Sequence, residues 1–177
     1  MATSSKSEFL EAVKTDTKLK RLQEVLASGV FTTIDPVSLS KELIGLHTTK
    51  SVSQLSFDRI SARPAKVLAA ALLSNQGYRS RAVAIKIDCF EISKKLEERI
   101  ETASKYLLVR YNNQLSEFKT AKDKQAAVDL VLEDFLKLNK KLESTMYVAD
   151  RVIDDLDKAG WAIKNVIDLF NLQAKRE

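Results

Sequence analysis

Residues 85–118, IKIDCFEISKKLEERIETASKYLLVRYNNQLSEF, carry the strongest structural signal in this chain. Apolar side chains recur at Ile85, Cys89, Ile92, Leu96, Ile100, Ala103, Leu107, Tyr111, Leu115 and Phe118, always three or four positions apart. An α-helix brings such a series onto one face. The mean spacing sits near the 3.6 of a straight helix rather than the 3.5 of a left-handed coiled coil. A helix from about Ser80 to Phe118 is long for a compact domain, so it bridges two subdomains or breaks near Tyr111-Asn112-Asn113.

Downstream, Thr120 begins another helix with Val128, Val131, Leu132, Phe135, Leu138 and Leu142 facing inward. Met146, Ala149, Val152, Ile153 and Leu156 continue that stripe past a bend expected at Ser144-Thr145. Gly160 should interrupt it before Trp161, Val166, Ile167 and Phe170 dock back. Upstream the helices read as shorter. Ser5-Lys6-Ser7-Glu8 has the form of a capping box, and Lys14-Thr15-Asp16-Thr17-Lys18 splits the following apolar series in two. Gly29 closes the second of these helices. Asp35-Pro36 is a start signal, cap then first-turn proline, for a helix to about Leu46 burying Val37, Leu43, Ile44 and Leu46. Ser51-Val52-Ser53-Gln54 starts a short helix. Pro64 opens an Ala/Leu-rich one, buried on most faces, that ends with Gly77 in the left-handed cap.

The fold class is therefore all-α. Two helical subdomains are expected: a basic one of short helices over residues 1–88, and a long-helix antiparallel bundle over 89–177. Only four glycines and two prolines occur in 177 residues, too few turn formers for a β-sandwich or barrel. Cys89 is the single cysteine, which excludes an internal disulfide and fits a reducing compartment. No apolar signal-peptide core follows Met1, and the most apolar stretch, 65–74, is about half the length of a membrane span.

Catalysis finds no support in these residues. His47 is the only histidine and stands at a helix exit, while Cys89 lies on the apolar stripe as a buried, inert thiol. Structural zinc needs four Cys/His-type ligands. The carboxylate clusters Glu97-Glu98-x-x-Glu101 and Asp154-Asp155-x-Asp157 lack the histidines of a di-iron bundle and have Lys94, Lys95, Arg151 and Lys158 at ion-pair spacing. Gly77 is followed by Tyr-Arg-Ser-Arg, not by a phosphate loop's Gly-Lys-Ser/Thr. No catalytic residue, metal or cofactor is expected.

The formal charge of +5 is unevenly spread. Residues 1–88 hold thirteen Lys/Arg against eight Asp/Glu, whereas 89–177 hold sixteen of each. From Arg59 to Ile87 there are six cations (Arg59, Arg63, Lys66, Arg79, Arg81, Lys86) and no acid. Such a run is suited to phosphate. Arg63 precedes the Pro64 helix and Lys66 sits in its first turn; Arg79 and Arg81 are expected at the start of the next helix, beside Asn75, Gln76 and Tyr78. Cations there oppose the helix dipole by about 0.3–1 kcal/mol each, a cost that a bound anion would offset. The alternative is that these arginines satisfy acids elsewhere in the chain, such as Asp154, Asp155 and Asp157 in the other half. Only Tyr78 and Phe57 offer stacking platforms nearby, so backbone or shape recognition of RNA fits better than reading of bases.

The layout, a short-helix half ending in Ser61-Ala62-Arg63-Pro64-Ala65-Lys66 and then Gly77-Tyr78-Arg79-Ser80-Arg81 leading into a long-helix half, resembles the small closterovirus accessory proteins that suppress RNA silencing. The resemblance extends over essentially the whole chain in size and basic helical character. It implies an all-α homo-oligomer in the host cytoplasm that sequesters small duplex RNA with little sequence preference and no membrane association. Arg63, Lys66, Tyr78, Arg79, Arg81 and Lys86 would then form the RNA-facing surface. Two other classes stand beside it: a helical-bundle viral coat protein, and an interaction module docking on an acidic partner. The module would need Val67–Leu73 exposed, which the Ala/Leu character of that segment argues against.

Overall fold

A computed structural model describes residues 2–27, 34–48 and 65–175. Among these all regular structure is helical: α1 Ala2–Lys14, α2 Thr17–Ala27, α3 Pro36–Thr48, α4 Ala65–Arg110, α5 Asn112–Leu115, α6 Ala121–Val131 and α7 Glu133–Ala174. Gly29, the short helix expected after Ser51, Arg63 and Pro64 lie outside the described residues. The stripe read from residues 85–118 is confirmed. Ile85, Cys89, Ile92, Leu96, Ala103, Leu107, Tyr111 and Leu115 are all buried, and α4 ends at Arg110, with Tyr111 the break.

Two expected breaks are absent. Gly77 lies inside α4 and Gly160 inside α7, each helix running on without interruption, and α7 is also continuous through Ser144-Thr145. A helical glycine costs only about 1 kcal/mol relative to alanine. Buried neighbours on both sides, Leu68 with Ala82 and Leu156 with Ile163, outweigh that local penalty. The amino-terminal boundary also differs: α1 begins at Ala2, so Ser5 is inside the helix rather than capping it. Serine's mild helix penalty is too small to stop it there.

The chain forms two compact units, and they are not the two sequence halves. Unit 1 comprises Met1–Asp35 with Phe90–Glu143; unit 2 comprises Pro36–Cys89 with Ser144–Glu177. Each takes one segment from each half because α4 and α7 supply residues to both.

In unit 1, Phe9 and Val13 of α1, Leu19 of α2, Ala103 and Leu107 of α4, Leu115 of α5 and Val128 of α6 make one core. Phe9 meets Tyr111 edge-to-face with ring centroids 5.7 Å apart. The α1–α2 corner is built on Asp16. Its Oδ1 accepts from the N–H groups of Lys18 (2.8 Å) and Leu19 (3.1 Å), capping α2. Its Oδ2 accepts from Tyr106 (2.8 Å) and Tyr111 (2.7 Å) on the facing part of the unit. Thr120 caps α6 in the expected way, accepting from the Asp123 N–H at 3.1 Å.

In unit 2, Leu43 of α3, Leu68, Ala82 and Ile85 of α4, and Ala149, Val152, Leu156, Ile163 and Val166 of α7 are buried. The start of α3 at Pro36 agrees with the Asp35-Pro36 signal. Its inward face is Pro36, Ser40 and Leu43, so Val37 and Ile44, one position out of phase, are exposed and were wrongly expected in the core. Buried Thr145 donates to the Pro36 carbonyl at 3.1 Å, leaving Ser40 to donate to the Thr145 hydroxyl at 2.9 Å. Val67 and Leu73 are exposed as well, at 42% and 70%, so the Ala/Leu segment is not covered on most faces.

Gly160 has a packing reason that Gly77 lacks. A Cβ at Gly77 would meet nothing within 4 Å, whereas one at Gly160 would stand 3.1 Å from Asn75 Nδ2. That nitrogen is held at 2.7 Å by the Leu156 carbonyl and cannot retreat without losing the bond. Gly77→Ala should therefore stabilise unit 2 by about 1 kcal/mol, and Gly160→Ala should lower the urea midpoint. Equal gains in the two variants would show that the Asn75 amide yields freely.

Candidate functional site

Three of the six residues expected to face RNA hold a carboxylate in unit 2. Arg79 donates from Nε to Asp157 Oδ1 at 2.5 Å and from Nη2 to Oδ2 at 3.3 Å. Arg81 grips Glu42 in the same two-pronged way, at 2.6 and 3.0 Å. Lys86 reaches Asp150 at 2.6 Å. The alternative in which these cations satisfy acids elsewhere in the chain is thus realised, with Asp157 among the acids foreseen. Arg79 and Arg81 also stand in the middle of α4, not at a helix start, because Gly77 does not end the helix. The dipole argument does not apply to them.

Spacing separates the pairs. Arg79 and Lys86, seven positions apart, share a face of α4 and meet acids seven apart in the opposite direction on α7, the signature of antiparallel neighbours. Arg81, two positions from Arg79, is turned by about 200° and meets α3. The hydrogen bond from Arg81 holds the Glu42 carboxyl below its ordinary range against the opposing effect of partial burial. All three pairs remain roughly half exposed. Surface pairs of this kind contribute about 0–1 kcal/mol, so a competing anion can displace them at little cost. Lys66 is exposed in the first turn of α4 with no ion pair among the described residues, and Tyr78 is half-buried. Arg63 lies outside the described residues.

Beside Arg79 an open groove of about 500 Å³ runs along α4 and α7 of unit 2. Its walls include Gln76, Ser80, Asp157 and Lys164, and its floor is Asn75. Trp161 stands at its edge, 66% exposed, with Lys164 Nζ 5.6 Å from the ring centroid. This corrects the expectation that Trp161 docks back with Val166, Ile167 and Phe170. Those three pack inward, but Leu156, Ala159, Ile163 and Val166 fix the phase of α7 and turn residue 161 away. Reading that phase from the sequence would have found the exposed indole. Asn75 is 4% exposed, and its Oδ1 has no hydrogen-bond partner.

Outside this groove the largest shifts belong to Asp16 and Tyr111 of unit 1. Burial tends to raise the Asp16 carboxyl, but the combined hydrogen bonds from Tyr111, Leu19, Tyr106 and Lys18 bring it down to about 2. Burial, then the bond to Asp16, pushes Tyr111 up to about 12. Neither exchanges a proton near neutral pH, so this cluster is unsuited to acid–base chemistry. Cys89 is fully buried, which raises its thiol further from the reactive thiolate. No group of three or more His, Cys, Asp or Glu among the described residues is arranged to hold a metal ion, and no described helix is long and apolar enough to cross a membrane. No protein-family model, curated protein or solved structure matches this chain.

Because Asp16 is depressed from about 4 to about 2 on folding, its stabilisation is complete above about pH 4 and lost as the pH falls toward 2. Asp16→Asn keeps a cap but loses the charged acceptor for the tyrosines. Chemical denaturation at pH 7 should place it about 1–2 kcal/mol below wild type. The gap should narrow as the pH falls from 4 through 2; a gap independent of pH would mean that the charge contributes nothing.

Proposed function

We propose that this chain is a non-enzymatic RNA-binding protein, a suppressor of RNA silencing of the closterovirus kind that sequesters small duplex RNA on the basic surface of unit 2. It would act as a homo-oligomer in the host cytoplasm. The observation that carries the proposal is the charge of unit 2. Residues 36–89 and 144–177 hold thirteen Lys/Arg against nine Asp/Glu, which is +4 of the total +5. Residues 1–35 and 90–143 hold sixteen against fifteen. A localised excess of this sign attracts a polyanion, and the half-exposed pairs of Arg79, Arg81 and Lys86 can exchange carboxylate for phosphate. Oligomer formation would multiply these modest contacts.

A second reading, a helical module that binds another protein, gains from the exposure of Val67 and Leu73. Exposed apolar side chains near a basic surface also suit self-association, so this observation is compatible with the first reading.

A titration with short duplex RNA, single-stranded RNA and duplex DNA at several salt concentrations tests the proposal. RNA affinity should fall steeply with salt, by a power of roughly 0.7–0.9 per phosphate contacted. Arg79→Ala/Arg81→Ala should weaken binding at least tenfold and flatten that slope. Absence of binding to any nucleic acid at low salt would overturn the RNA reading and leave the protein module.

A further inference from the structure

We propose that the groove beside Trp161 takes an unpaired RNA base, stacked on the indole, with the adjoining phosphate held by Lys164 and Arg79. This rests on the RNA-binding reading and narrows its ligand: from a uniform duplex to RNA that presents at least one unpaired nucleotide, at an end or in a single strand.

Three features of the groove converge on that ligand. The first is the indole. Trp161 is 66% exposed on a helix whose neighbouring turns bury Ala159 and Ile163, so it contributes little to the core. An exposed aromatic face is what an unstacked base needs, and it accepts any base because every base has a π-face. The second is the placement of cations. Lys164 Nζ lies over one face of the ring, 5.6 Å from its centre, so a base takes the opposite face or displaces the ammonium toward its own phosphate, and the Arg79 guanidinium belongs to the same groove. A phosphate can replace Asp157 on Arg79 because that pair is half exposed and weak. The third is the floor. Asn75 is almost wholly buried, its amide nitrogen committed to the Leu156 carbonyl at 2.7 Å and its Oδ1 left without a donor. Asn75 therefore marks the closed bottom of the groove, and Gln76 and Ser80 on the walls offer a base edge polar groups of both kinds.

The groove's volume of about 500 Å³ lies within the ~300–1,000 Å³ of small-ligand sites. Its lining is mixed: Leu72, Leu156 and the indole supply apolar surface for a base's faces, beside the Gln76 amide, the Ser80 hydroxyl and the charges of Arg79 and Lys164. A blunt duplex hides its base faces and would gain from Lys164 and Arg79 but not from Trp161.

Trp161 is the chain's single tryptophan, so its emission reports on the surroundings of this one indole. The experiment is a fluorescence and filter-binding titration of the full chain at low salt. The probes are an eight-nucleotide oligo(A), a blunt RNA duplex, and the same duplex with unpaired 3′ nucleotides. Oligo(A) and the overhang duplex should quench Trp161 emission, and the blunt duplex should not. By filter binding, Trp161→Ala should weaken the first two about tenfold or more, within the range of base–aromatic stacking, and Trp161→Phe should recover most of the loss. The blunt duplex should be unaffected by either substitution. RNA binding that leaves the emission unchanged, or that survives Trp161→Ala in full, overturns this inference while the RNA reading stands. Absence of binding to all three RNAs overturns both.

Discussion

Everything in this structure depends on keeping one face of α4 dry from Leu68 to Leu107. That face is buried by α7 and, in turn, by the shorter helices that complete each unit. Full burial of one large aliphatic side chain contributes about 1.5–3 kcal/mol, and α4 commits Leu68, Ile85, Leu96 and Leu107 at zero exposure. The requirement explains why the helix tolerates Gly77 and why its partner tolerates Gly160. Local preference at one position is small beside a seam of core side chains.

The seam was legible because it is periodic. Ten positions at three- and four-residue intervals admit one conformation, and eight of the ten are buried, with Ile100 and Phe118 only partly so. The starts at Pro36 and Thr120 were legible for a different reason, since caps are written in adjacent residues. What escaped was any feature decided by a distant partner. Gly160 reads as a stop until Asn75, 85 positions away, is seen to occupy the space a Cβ would need. Asp16 reads as one more polar residue in a linker until Tyr106 and Tyr111 close on it.

The basic segment shows the same division. Its cations are visible in the sequence, and Asp157 is one of the acids it offers them, but the partners at positions 42 and 150 are not, and neither is the 200° turn separating Arg81 from Arg79. From composition the indole reads equally as core or as an exposed seam. Helical phase, set by Leu156, Ala159, Ile163 and Val166, overrules composition there.

The interleaving of the two units has a consequence for biosynthesis. A chain emerging from the ribosome presents residues 36–89 long before the segment 144–177 that completes their core. Residues 1–35 and 90–143, in contrast, are all available once residue 143 has cleared the exit tunnel. Unit 1 can therefore close while the core side chains of residues 36–89 still lack their partners on α7, and the segment that bears the cationic run is the one kept waiting. Vectorial synthesis thus places closure of the groove beside Trp161 after that of unit 1.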